Sequence, residues 1–108
     1  MTTTYKTLGQ VAPAATTATT LYTVPADTSA VCSTIVICNL GASTTYRVAI
    51  RPAGATLADI HYIVYESTID QYNSSFLTIG ITLATTDVVT VYSGTANVTF
   101  NLFGSEIS

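Results

Sequence analysis

Apolar and polar residues alternate along most of this chain in short runs separated by turn-forming residues, a pattern typical of β-strands. The most apolar run is Ala30–Cys38, in which valine, isoleucine and cysteine dominate. β-Branched side chains are stiff at χ1 and pack well on a pleated sheet. Because polar residues hardly interrupt this run, it predicts a central strand that is covered on both faces.

A second strand, Thr44–Arg51, follows a short glycine-containing turn. In this strand Tyr46, Val48 and Ile50 alternate with smaller or more polar residues. Such alternation predicts one dry face and one wetter face. The two strands together are the predicted centre of the core.

The remaining strands are shorter and follow at regular intervals. They are predicted at Thr20–Val24, Ile60–Glu66, Ser75–Ile79, Ile81–Leu83, Val88–Tyr92 and Val98–Phe103. Strict alternation within Ile60–Glu66 places Tyr62 on one face and Tyr65 on the other. About eight strands separated by turns, with no competing amphipathic helix, are typical of a sandwich or barrel. The predicted fold is all-β, a single-domain antiparallel β-sandwich of the jelly-roll or immunoglobulin-like type.

The N-terminal residues carry a weaker signal. Tyr5, Leu8 and Val11 form a sparse apolar pattern that fits either an edge strand or an arm laid on a neighbouring molecule. Val11–Thr20 is a low-complexity segment rich in alanine and threonine, and it is typical of a loop. We therefore expect an N-terminal arm or edge segment over residues 1–20 and a β-sandwich domain over residues 21–108.

The chain is poor in charge. Charged residues make up 8% of it, against about 25% in ordinary soluble domains. With only three Lys and Arg residues, binding to nucleic acid is not expected. No segment has the pattern of a transmembrane span or a signal peptide, so neither a membrane nor secretion is expected. The low charge fits a surface that lies against other protein molecules, and it equally fits a surface solvated by threonine and serine hydroxyls.

The two cysteines, Cys32 and Cys38, lie six residues apart in one predicted strand. This spacing puts them on the same face at about 20 Å, whereas a disulfide needs Cα atoms within about 7 Å. We therefore expect two free thiols, as in a protein that folds in a reducing cytoplasm.

Few residues are candidates for chemistry. His61 is the single histidine and lies two residues after Asp59, yet no nucleophile motif accompanies the pair. Asp59, Glu66, Asp70 and Asp87 have no spacing that matches a calcium loop, which favours turn-forming roles. The sequence thus predicts no enzyme, no catalytic residue, no metal ligand and no cofactor.

The seven tyrosines are candidates for contacts with other molecules. They could form a platform for a glycan or nucleotide, but their position within strand patterns favours packing or subunit contacts. The predicted assembly interface consists of Tyr5, Leu8, Val11, Tyr46, Tyr62 and Tyr65.

Most of the chain resembles a family of small virion structural proteins of tailed bacteriophages, especially those that infect cyanobacteria. The segments that carry the resemblance are Tyr5–Gln10, Leu21–Pro25, Ser33–Asn39, Tyr46–Gly54, His61–Ile63, Gly80–Leu83, Asp87–Tyr92 and Phe100–Glu106.

This resemblance implies a non-enzymatic β-sandwich that is located in the virion and is assembled in the cytoplasm of the bacterial host. The small size favours a capsid decoration or cement protein, which would form a homo-oligomer and contact other virion proteins such as the major capsid protein. A neck, baseplate or tail-fibre module is the alternative within the virion. A glycan-binding adhesin domain that contacts the host surface is the alternative of another class.

Overall fold

Two antiparallel β-sheets pack face to face in the structure, a computed structural model that describes residues 1–108. The strands are β1 (Thr3–Val11), β2 (Thr19–Thr23), β3 (Ser29–Asn39), β4 (Thr44–Arg51), β5 (Tyr62–Ile69), β6 (Ser74–Leu77), β7 (Ile81–Leu83), β8 (Val88–Ser93) and β9 (Val98–Ile107). Short 3₁₀ turns occur at Pro52–Gly54 and Asp59–His61. The predicted all-β antiparallel sandwich is confirmed.

The strand order is that of a jelly roll. The first sheet has the order β1-β9-β3-β6, with β7 also paired to β3, and the second sheet has the order β2-β8-β4-β5. Since β9 occupies one side of β3, β6 and β7 share its other side as the two halves of one interrupted strand. Counted in this way, eight strands form the two Greek keys that define a jelly roll.

A single core fills the space between the two sheets. It contains 17 buried residues drawn from both of them. Phe100 of β9 is fully buried, and its ring meets that of Tyr46 of β4 edge to face at 6.2 Å. Val48 is also buried, as the alternation in β4 predicts.

Strand β3 is central in its sheet, as predicted, but it is not covered on both faces. Its residues alternate between buried and exposed, with Ile35 and Ile37 in the core and Val31 open to solvent. A two-layer sandwich has no third layer to cover the outer side of a sheet, so the apolar residues there remain at the surface. The apolar run therefore correctly predicted a central strand, but not one that is buried on both faces.

A β-bulge in β3 overturns the predicted arrangement of the cysteines. The pairing with β9 shifts between Cys32 and Thr34, which leaves one extra residue in β3. Cys32 therefore points into the core, whereas Cys38 lies on the outer face beside Thr99. Both thiols are unpaired, but they lie on opposite faces of the strand.

The N-terminal residues belong to the same sandwich. Strand β1 is the edge strand of the first sheet and pairs along its length with β9. Leu8 from this strand joins the common core. Because β2 begins at Thr19, the expected division between residues 20 and 21 falls inside a strand. Of the two alternatives for this segment, the structure has the edge strand.

Candidate binding surfaces

The outer face of the first sheet is the larger of two candidate surfaces, and we call it the uncharged face. Residues directly opposite each other in an antiparallel sheet point to the same side, so the strand register defines this face. Three of its rows are Tyr5–Ser105–Val31, Thr7–Phe103–Thr34 and Gln10–Asn101–Val36–Phe76. The hydrogen bond of 2.7 Å from Gln10 Nε2 to Asn101 Oδ1 links two neighbouring strands across it.

Two aromatic side chains stand at the margins of the uncharged face. Tyr5 on β1 is 84% exposed, and Phe76 on β6 is 67% exposed. Val31 and Phe103 between them are also open to solvent. The face therefore combines apolar groups with hydroxyl and amide groups.

The charged residues of this sheet point away from the uncharged face. Lys6 and Glu106 are its only two, and they form a 3.2 Å ion pair on the inner side of the sheet. Glu106 also accepts a 2.5 Å hydrogen bond from the Tyr22 hydroxyl of the second sheet. This bond, with a smaller contribution from Lys6, holds the pKa of Glu106 below its usual range.

The second candidate surface is a tyrosine cluster on the outer face of the second sheet, formed by Tyr62, Tyr65 and Tyr92 around Arg47. Two irregularities in the pairing of β4 with β5 create it. Between the pairs Tyr46–Ser67 and Val48–Val64, β5 contributes two residues where β4 contributes only Arg47. A third residue of β5, Ile63, also has no partner on β4. These bulges turn Tyr62 and Tyr65 to the same face, so the predicted alternation was wrong here.

Arg47 is the centre of the tyrosine cluster. Its guanidinium carbon lies 4.1 Å from the ring centre of Tyr92, 4.5 Å from that of Tyr65 and 6.0 Å from that of Tyr62. Arg47 Nη2 donates a 2.5 Å hydrogen bond to Glu66 Oε1. The guanidinium is thus held between aromatic rings and a carboxylate, an arrangement that favours its charged form.

Glu66 closes the cluster on one side. Its backbone has a φ of 52°, which is unusual for a residue other than glycine. The carboxylate accepts a 2.5 Å hydrogen bond from Thr45 Oγ1 on the neighbouring strand. Hydrogen bonding from Thr45, and then from Arg47, lowers the pKa of Glu66, and the hydrogen bond to Glu66 raises the pKa of Arg47. The strained backbone is therefore compensated by polar contacts.

A pocket of about 390 Å³ lies beside the cluster and is lined by Asp59, Tyr62 and Tyr65. The two rings are 5.0 Å apart with an interplanar angle of 77°. Two hydrogen bonds fix the turn that carries Asp59. The Ala58 N–H donates to the side-chain atom His61 Nδ1 at 3.0 Å, and the His61 N–H donates to the Ala58 carbonyl at 3.0 Å. The pocket therefore has two aromatic walls and one carboxylate.

The residues of the predicted interface do not lie together. Tyr5 belongs to the uncharged face, and Tyr62 and Tyr65 belong to the tyrosine cluster. Val11 is half-buried beside a shallow depression of about 370 Å³ at the end of β1. Leu8 and Tyr46 are buried in the core of the chain, so their side chains are not available to a neighbour. The apolar pattern alone could not separate core residues from surface residues, either on the edge strand β1 or on the inner strand β4.

Other candidates for chemistry have structural partners. Asp87 accepts hydrogen bonds from the backbone N–H groups of Ala53 at 2.8 Å and Ala84 at 2.9 Å, which is the turn-forming role expected for it. No group of three or more His, Cys, Asp and Glu side chains is arranged to hold a metal ion. No helix has the length and apolar character needed to span a membrane.

Comparisons with protein-family models, with curated proteins and with solved structures find no match to this chain.

Proposed function

We propose that this protein is a non-enzymatic structural subunit that docks through its uncharged face onto a larger protein assembly. The resemblance described above supports the virion of a tailed bacteriophage as that assembly. Within it, the role that suits a small single jelly roll is that of a capsid decoration or cement protein contacting the major capsid protein.

The observation that carries this proposal is the absence of charged side chains from one whole outer face. Charged groups are costly to remove from water, and the centres of protein interfaces are depleted in them. Hydroxyl and amide groups lose less on burial, provided that they find partners across the contact. A face of this composition is suited to contact with protein.

The dimensions of the uncharged face are also adequate. It is four strands wide, and its edge strand β1 is nine residues long. At about 4.8 Å between strands and about 3.3 Å per residue, the face measures roughly 19 by 30 Å, or about 600 Å². Standard interfaces bury about 800 Å² per partner, so one copy would bind modestly and many symmetry-related copies would supply the total strength. Because weak contacts add up only when the copies are joined to one another, the proposal includes a homo-oligomer.

The test is cryo-electron microscopy of intact particles of the phage that encodes this chain. Regular copies on the head lattice are the expected result. Confinement to the neck or tail would move the role to a neck, baseplate or fibre module. Absence from the particle would refute the proposal.

A binding experiment tests the surface itself. Particles assembled without the protein are mixed with the purified chain, and the copies bound per particle are counted. The Phe76→Lys variant should bind at least tenfold more weakly, because it places a charge at the contact. Tyr72→Lys is the matched control, since Tyr72 is 76% exposed but lies in the turn before β6. Equal loss in both variants would exclude the uncharged face as the docking surface.

A further inference from the structure

We infer that the pocket between Asp59, Tyr62 and Tyr65 binds a neutral saccharide. This site lies on the second sheet, opposite the uncharged face, and it does not depend on the proposed docking function.

The shape of the pocket fits one sugar ring. Its volume of about 390 Å³ lies at the lower end of the range for small-ligand sites. Tyr62 and Tyr65 stand nearly perpendicular, at 77°, and form a corner. The apolar C–H side of a pyranose can lie against one ring while its edge meets the other. Tyr65 is 60% exposed, so its ring is accessible to such a ligand.

Asp59 supplies the polar contact that a sugar needs. A carboxylate is an acceptor for hydroxyl donors, and hydrogen bonds to a charged acceptor are stronger than neutral ones. The reciprocal contacts between Ala58 and His61 hold the turn that presents Asp59. Asp59 is exposed and lines the pocket, so its carboxylate oxygens are open to the pocket and to solvent.

Arg47 makes a cationic ligand less suitable than a neutral one. Its guanidinium already lies 4.5 Å from the ring centre of Tyr65 and 6.0 Å from that of Tyr62. Since these rings already hold one cation, they offer less cation–π attraction to a second one, whereas contact with a neutral sugar does not depend on that attraction. The same stacking restrains Tyr65, which lowers the entropy lost when a ligand binds.

The β-bulges give a reason to regard the corner as a built feature. Regular alternation would have put Tyr62 and Tyr65 on opposite faces of β5. Two irregularities in one strand and the positive φ of Glu66 bring them together instead. Bulges that re-aim side chains, and strained residues held by their surroundings, are concentrated at binding sites.

The experiment is a titration of the ¹⁵N-labelled full chain, followed by amide chemical shifts. The probes are the methyl glycosides of glucose, galactose, mannose and N-acetylglucosamine, with tetramethylammonium chloride as the cationic comparison. We expect at least one glycoside to shift amides within residues 58–66 more strongly than tetramethylammonium does at the same concentration. No shift with any glycoside, or shifts with the cation alone, would overturn the inference.

Variants then locate the contact. Tyr65→Ala should weaken binding about tenfold through loss of the stacking wall, and Asp59→Asn should weaken it by a smaller factor. Asp59 is exposed and makes no contact in the core, so its variant keeps the test valid even if Tyr65→Ala disturbs the fold. Tyr5→Ala, on the uncharged face, is the control and should bind normally. Unchanged affinity in both pocket variants would refute the site, whereas loss of particle docking by Phe76→Lys tests only the proposed function.

Discussion

Replacing Tyr22 with Phe tests how the two sheets are joined at one end of the sandwich. The Tyr22 hydroxyl of the second sheet donates a 2.5 Å hydrogen bond to Glu106 of the first. Hydrogen bonds to charged groups contribute about 1.5–3 kcal/mol. The Lys6–Glu106 pair remains in the variant, but it is partly exposed and contributes only about 0.2–1 kcal/mol. We therefore expect Tyr22→Phe to lose about 2 kcal/mol of unfolding free energy at pH 7.

The loss should depend on pH, because the acceptor is a carboxylate. The pKa of Glu106 is lowered in the folded protein, first by the Tyr22 hydroxyl. Stabilisation from a lowered pKa is present above the ordinary value, about 4.3 for Glu, and disappears as the pH falls through the folded-state value. Burial and the same hydrogen bond raise the pKa of Tyr22, so this residue remains the donor throughout. The difference between wild type and variant should thus shrink by about 1 kcal/mol in acid.

Urea denaturation at pH 7 and at pH 3 measures both quantities. The expected result is a lower midpoint for Tyr22→Phe at pH 7 with an unchanged slope, and a smaller difference at pH 3. Tyr5→Phe serves as the control, because Tyr5 is exposed and is not bonded to a carboxylate. If Tyr22→Phe is equally destabilising at both pH values, the effect is one of packing and the argument from charge is wrong.

Two further predictions concern the first sheet. Gly104→Ala should destabilise the protein by about 3 kcal/mol or more in urea denaturation, because a Cβ there would lie 2.1 Å from a backbone oxygen of β3. The control Gly80→Ala should cost only about 1 kcal/mol, because Gly80 has a positive φ but no close neighbour. Similar costs for the two variants would contradict the close approach of the strands at Gly104. Alkylation without reductant, followed by mass spectrometry, should label Cys38 faster than Cys32 in the native protein, because burial shields Cys32 and raises the pKa of its thiol to about 11. Equal labelling rates, or a disulfide between the two cysteines, would contradict the bulge that separates them.

The sequence pattern predicted the architecture because the architecture depends on signals that are local. β-Branched runs and regularly spaced turns indicated the sandwich. The alternation in β4 put Tyr46 and Val48 on one face, and that face is buried, although Tyr46 is also among the residues of the predicted interface. The pairing of the strands within the jelly roll depends on residues that are far apart in the sequence, so no local pattern predicts it. For the same reason the sequence could not distinguish an edge strand from an arm at β1. Its residues are mostly exposed, and β9, with which it pairs, lies almost one hundred residues away.

The candidate surfaces were harder to predict because they depend on irregularities. A bulge changes which face every later side chain occupies, and one extra residue was enough to separate Cys32 from Cys38. In β5 the same effect joined Tyr62 to Tyr65. Glu66 has a positive φ, but because it is not a glycine, nothing in the sequence marks this position. The residue types were therefore recognisable as candidates, whereas their grouping was not.

The placement of the two surfaces has a consequence for how they would work together. The uncharged face belongs to the first sheet, and the tyrosine cluster belongs to the second, so the core of the sandwich separates them. A copy that docks through the uncharged face would direct its saccharide pocket outward from the assembly. Many symmetry-related copies would then present many pockets in one direction, and weak binding at each would add up to strong attachment to a surface with many sugars. The few charged groups that this arrangement uses, among them Asp59, lie on the pocket side, whereas the uncharged face has none.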